Sequence, residues 1–158
     1  MANDRQPPPR MDPDPDAMLA EAMENAPCYE ATTDAIRVIV RTFWLDDQSQ
    51  PDAHRFTWAY RIRIENHGTE TVQLLRRTWD ITDGTGRIEH VHGDGVVGEQ
   101  PVLEPGQAFE YTSGAALQTP TGFMRGLYHM IHPHTHRQFD VQIPPFSLDC
   151  PYHPAIIH

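Results

Sequence analysis

The run Arg55-Phe56-Thr57-Trp58-Ala59-Tyr60-Arg61-Ile62-Arg63-Ile64-Glu65 constrains the fold more than any other part of the chain. Its apolar residues recur at every second position. Phe56, Trp58, Tyr60, Ile62 and Ile64 lie on one face, and Arg55, Thr57, Arg61, Arg63 and Glu65 on the other. Alternation of this kind is the signature of a strand with one face in a core and one in water. Burying each large apolar side chain contributes roughly 1.5–3 kcal/mol, and a one-residue slip would place three arginines inside. The strand therefore has a fixed register and demands a second layer to cover it.

Further strands follow at close spacing. Ile36–Trp44 is rich in β-branched residues, and Val72–Thr82 follows the turn Asn66-His67-Gly68. Asp83-Gly84-Thr85-Gly86 is a hairpin signal leading into Arg87–Val91. Short strands are expected over 108–112, 124–131 and 138–143, the last broken by Pro144-Pro145. Some seven short strands separated by turn signals predict an all-β, two-sheet antiparallel β-sandwich of immunoglobulin-like or fibronectin type III-like kind. The Cys…Trp…Cys pattern of true immunoglobulin domains is absent, for the two cysteines are Cys28 and Cys150. Free thiols in a reducing, cytoplasmic compartment are expected, with no signal peptide and no membrane insertion.

Residues 1–30 differ in character. They carry seven acids against two arginines, with Pro7-Pro8-Pro9 and Asp12-Pro13-Asp14-Pro15-Asp16. Such a segment cannot bury a core, so residues 1–30 are expected to be a flexible acidic extension, with one short helix over 17–23. The domain proper is expected over 31–158. The whole chain carries a net charge of −10 and its basic residues are all arginine. Without a basic run it is a poor ligand for a nucleic-acid backbone.

One motif is unusual. Val91-His92-Gly93-Asp94-Gly95-Val96-Val97-Gly98-Glu99-Gln100-Pro101 contains a Gly-x-Gly-x-x-Gly pattern. In a dinucleotide-binding unit a helix would open at the third glycine and an acid would follow to hold the ribose. Here Pro101 and the turn Leu103-Glu104-Pro105-Gly106 follow, and Asp80, Asp83 and Glu89 all precede the loop. Two readings remain. The loop is a tight bulged crossover in an all-β domain, or its N–H groups form an anion-binding nest. In the second, Gly93, Asp94, Gly95 and Gly98 would cradle a phosphate-containing small molecule, with charge from Arg76 or Arg77. Asp94 and Glu99 oppose it.

The histidines offer a third chemistry. In an extended His129-Met130-Ile131-His132-Pro133-His134-Thr135-His136, alternate residues are roughly 6.6 Å apart on one face, so His132, His134 and His136 could share a metal. A solvated loop is the plainer reading. His90-Val91-His92 with Glu99 is too widely spaced for a cupin metal motif. Ser113-Gly114 lacks the glycine that leads a nucleophile elbow. No catalytic constellation stands out and no cofactor is expected.

Several runs together resemble the ApaG family: Val72–Asp83, Gly93–Pro101, Tyr111-Thr112-Ser113-Gly114, Thr119–Met130 and Ile156-Ile157-His158. The resemblance covers about residues 31–158. It implies a fibronectin type III-like sandwich in a bacterial cytosolic protein associated with cobalt tolerance and magnesium efflux. It also implies an interaction module with an unidentified protein partner. The family's glycine pattern, here Gly93, Gly95 and Gly98, carries the idea of pyrophosphate or nucleotide binding.

Overall fold

A computed structural model describes residues 25–152. The predicted helix over 17–23 and the closing Ile156-Ile157-His158 lie outside these residues. Nine strands follow in order: β1 (Cys28–Thr33), β2 (Ile36–Trp44), β3 (Phe56–Asn66), β4 (Val72–Asp83), β5 (Ile88–Asp94), β6 (Val102–Leu103), β7 (Ala108–Leu117), β8 (Thr121–His132) and β9 (Arg137–Asp149). All pairings are antiparallel. One sheet has the order β1-β2-β3-β7, the other β5-β4-β8-β9, with β6 pairing β4 beyond the end of β5. The chain is thus the two-sheet sandwich that the alternation requires.

Between the sheets lies the apolar face of β3. Phe56, Trp58, Tyr60, Ile62 and Ile64 are all buried. They meet Met124, Tyr128 and Met130 of β8 and Val141, Ile143, Phe146 and Leu148 of β9 in a single core. Phe146 stands edge-on to Trp79 at 5.8 Å between ring centres and tilted against Tyr60 at 5.6 Å. Such aromatic pairs add about 0.5–1.5 kcal/mol beyond area burial.

Three expectations need correction. A strand precedes Ile36: β1 folds back on β2 through Asp34 and Ala35, both at positive φ (46° and 66°). The strand expected over 108–112 runs on to Leu117, because all of 108–117 pairs with β3. Pro144-Pro145 does not end the last strand. The β8–β9 register shifts between Met124 and Gly126, so the two prolines together oppose Arg125. β9 is an edge strand, and a bulge there absorbs residues that cannot donate to a ladder.

A buried asparagine fixes the end of the molecule that carries the glycine loop. Asn66 Nδ2 donates to the carbonyls of Glu70 (2.9 Å) and Leu103 (3.0 Å), while its Oδ1 accepts from Gly68 N–H at 2.9 Å. Its backbone binds the Pro105-Gly106 turn from the other side, through Gly106 N–H and Gln107 O. Asn66 thus ties the β3–β4 turn to β6, and β6 is where the glycine loop returns to the sheet.

Candidate functional site: the glycine loop on the sheet edge

The loop is an excursion from one edge. β5 runs beside β4 from Ile88 opposite Thr82 to Asp94 opposite Arg76, and the chain then leaves the sheet. It returns as β6 beside Val72 and Gln73 of the same β4. At the gap, β4 has a register shift against β8 between Leu74 and Arg76. The intervening Leu75 carbonyl accepts from Gly95 N–H (2.8 Å) and from the Gln100 side-chain amide (3.0 Å). Leu74 N–H donates to Pro101 O at 3.1 Å, so both feet of the loop are held by β4.

The tip is a two-residue hairpin. Val96 and Glu99 exchange both backbone hydrogen bonds, at 2.8 and 2.9 Å. Val97 and Gly98 between them have φ 44° and 80°, the positive pair of a type I′ turn. Gly98 suits that geometry; Val97, a β-branched residue, does not, and it stands 56% exposed while Val96 is buried. Gly95, at φ 61°, is required on two counts, since a Cβ there would lie 2.2 Å from the Glu99 carbonyl oxygen. Gly93 leaves room for a guanidinium: a Cβ would sit 3.1–3.3 Å from the head of Arg77. No helix follows Gly98.

Arg77 and Arg76 part company. Arg77 turns inward beneath the loop, and one of its terminal nitrogens donates to the carbonyls of Asp94 (2.9 Å) and Gly95 (2.6 Å). Arg76 is exposed and has no partner among the described residues. Gly95, Val96 and Glu99 have their N–H groups bonded within the sheet or loop, whereas those of Val97 and Gly98 find no acceptor among the described residues.

Below Arg77 lies a phenol cluster invisible in the sequence. Tyr111 Oη and Tyr128 Oη are 2.5 Å apart and buried. Burial pushes Tyr128 well above the ordinary phenol range, and Tyr111 and Tyr60 upward too, while the Arg77 guanidinium pulls all three the other way. Folding keeps these phenols neutral, and an unfolded phenol ionises near pH 10. The stability they contribute is therefore complete below about pH 10 and is lost as pH rises beyond it. In an alkaline titration, phenolate absorbance from Tyr60, Tyr111 and Tyr128 should emerge together with the loss of near-ultraviolet circular dichroism. Phenolate formation from these three in a still-folded protein would contradict the burial.

The histidines are dispersed. His132 ends β8, stacks on Phe139 at 4.6 Å between ring centres, and has Nδ1 3.3 Å from Glu70. The chain then turns, with His136 at φ 59°, so His132, His134 and His136 do not follow the extended path that would let them share an ion. His90 Nδ1 lies 2.5 Å from Asp80 Oδ1, and His129 Nδ1 lies 2.7 Å from Asp140 Oδ1, with its Nε2 3.3 Å from Thr78 Oγ1. Among the described residues no group of three His, Cys, Asp or Glu is placed to hold a metal. No described helix is long and apolar enough to cross a membrane.

A family model described as the ApaG domain matches residues 46–132, more than half of the chain. The chain belongs to the ApaG family. The ApaG protein of Rhodospirillum centenum is 57% identical over 124 residues, 78% of this chain and 95% of that protein. That of Parvibaculum lavamentivorans is 49% identical over 130 residues, covering 82% and 99%. Among solved structures, the putative ApaA protein of Bordetella pertussis superposes with a TM-score of 0.71 at 43% identity, covering 75% of this chain and 95% of that one. The described sandwich fold is therefore shared with that solved relative.

Proposed function

We propose that this ApaG chain is a non-enzymatic binding module that presents the glycine loop to a protein partner in the cytoplasm. Its association with cobalt tolerance and magnesium efflux is carried over from the family resemblance. The observation that carries the reading is Val97. A β-branched residue held at positive φ, and turned to solvent on a loop pinned at both feet, is a conformation that persists only where the surroundings over-determine it. Apolar anchors displayed rigidly on loops are effective recognition elements, since little ordering entropy is lost on binding.

The Asp140–His129–Thr78 chain has the order of a hydroxyl–imidazole–carboxylate relay, yet it supports the non-enzymatic reading. Thr78 and His129 lie within the paired β4–β8 ladder, where backbone donors already have acceptors and cannot cradle an oxyanion. Val97→Asp should melt at or above the parent's temperature, since Asp-Gly suits this turn better than Val-Gly. It should also abolish capture of the partner, with loss of cobalt tolerance in cells that depend on the chain. Capture of the same partner by the variant would remove the proposal.

A second reading, an anion or pyrophosphate site, is supported by the two acceptor-less N–H groups at the tip and by Arg76. Calorimetry with pyrophosphate, with and without Mg²⁺, tests it, and flat traces end it.

A further inference from the structure

The two outer faces of the sandwich differ in kind. That of the β1-β2-β3-β7 sheet is a closed lattice of ion pairs. Arg37 bonds Glu30 and Glu65, Arg63 bonds Glu65 and Glu110, and Arg61 bonds Glu110. Arg63 and His67 draw Glu65 down to about 2. This face satisfies itself and displays no large exposed apolar side chain. The opposite face, on β5-β4-β8-β9, does the reverse. Ile88, Val102, Phe123 and Leu127 are four of the six large exposed apolar residues among those described, and all four lie there. Arg76 stands on the same face without a partner.

The register arranges this face in rows across the strands. A central row carries His92, Thr78, Leu127 and Gln142. The row on one side carries His90, Asp80 and Arg125; the row on the other carries Asp94, Arg76 and His129. Outermost are Ile88 and Phe123 at one end, Val102 and Ile131 at the other. These rows are complementary about their own middle. A two-fold axis along the central row, between two facing copies, sets Asp80 over the partner's Arg76 and His90 over the partner's Asp94. Phe123 then meets the partner's Ile131, Ile88 the partner's Val102, and Leu127 its own counterpart. Arg125 falls over the partner's His129, where each is already held by a carboxylate, Asp80 at 3.5 Å and Asp140 at 2.7 Å.

We propose that the outer face of the β5-β4-β8-β9 sheet is the interface of a two-fold symmetric homodimer of this chain. An isologous contact of this kind requires a self-complementary patch, and two sheets stack face to face within about 30° of alignment. Four strands at ~4.8 Å and five rows at ~6.7 Å give a flat footprint of roughly 600 Å² per copy. That falls somewhat below the ~800 Å² per partner of standard-sized interfaces and implies a reversible dimer. The inference does not depend on the glycine-loop reading, because the loop tip lies outside the five rows.

Sedimentation of the full chain, from low micromolar to near-millimolar at near-physiological ionic strength, should show a monomer–dimer equilibrium. Leu127→Asp should give a monomer with unchanged near-ultraviolet circular dichroism, whereas Val97→Asp should dimerise as the parent does. Arg76→Asp and Asp80→Arg should each be monomeric alone, since each sets like charges face to face. Mixed together, they should form a heterodimer, because both cross-pairs are then of opposite sign. A parent that stays monomeric throughout, a dimer that survives Leu127→Asp, or a mixture that does not associate would each overturn the proposal.

Discussion

Replacing Gly95 by alanine is expected to destabilise the fold by about 3 kcal/mol, the largest loss for the addition of a single methyl in the loop. Two terms add. A non-glycine residue at φ 61° is strained, and the new Cβ would stand 2.2 Å from the Glu99 oxygen and 2.9 Å from its carbonyl carbon. Those are backbone atoms fixed by the Val96–Glu99 bonds, so relief requires opening the hairpin and exposing Val96. Gly98→Ala is the control. It shares the positive φ but meets nothing within 4 Å, so only the left-handed penalty of roughly 1–2 kcal/mol applies. Urea unfolding should show Gly95→Ala losing clearly more than Gly98→Ala at unchanged m. Equal losses would mean that close approach to Glu99 does not define the loop.

Arg77→Met should cost about 2–3 kcal/mol by leaving the Asp94 and Gly95 carbonyls without their charged donor. Lysine at this position should recover less than half of that, since a compact ammonium cannot lie flat beneath Gly93 as a guanidinium does. The phenols supply an independent reading. Arg77 pulls Tyr60, Tyr111 and Tyr128 down, so its removal must raise them further. In Arg77→Met these tyrosines should still ionise only as the protein unfolds, and that joint alkaline transition should move to lower pH because the destabilised fold opens sooner. An unmoved profile with intact stability would show that the guanidinium is not seated under the loop.

The strand alternation made the sandwich legible, and β3 was readable residue by residue because its apolar face is unbroken. β1 was not, because Cys28-Tyr29-Glu30-Ala31-Thr32-Thr33 is weakly apolar and follows a proline-rich stretch. β9 looked interrupted because a proline pair reads as a stop unless a bulge on an edge is known to accommodate it. At the site, the glycines announced an unusual loop, and the absence of a following helix removed the dinucleotide reading. What the glycines accommodate is a matter of register. That Arg77 passes beneath Gly93, and that Thr78 meets His129, follow from which residues of β4, β5 and β8 stand opposite one another. Single-sequence patterns do not carry that information. Arg76 and Arg77 shared one candidate role by adjacency, and the pleat sent them to opposite faces.

β1 packs against β9 across the open side of the sandwich, with Thr33 Oγ1 accepting from Gln142 N–H at 3.2 Å, and the Trp58 indole of β3 donates to Asp149 O of the same β9 at 3.0 Å. During synthesis the earliest of these strands must therefore wait on the ribosome for the latest. Until residues 137–149 clear the exit tunnel, the part of the β3 apolar face that Val141, Ile143, Phe146 and Leu148 cover stays open to water, and half-made chains are the form most exposed to chaperones and proteases.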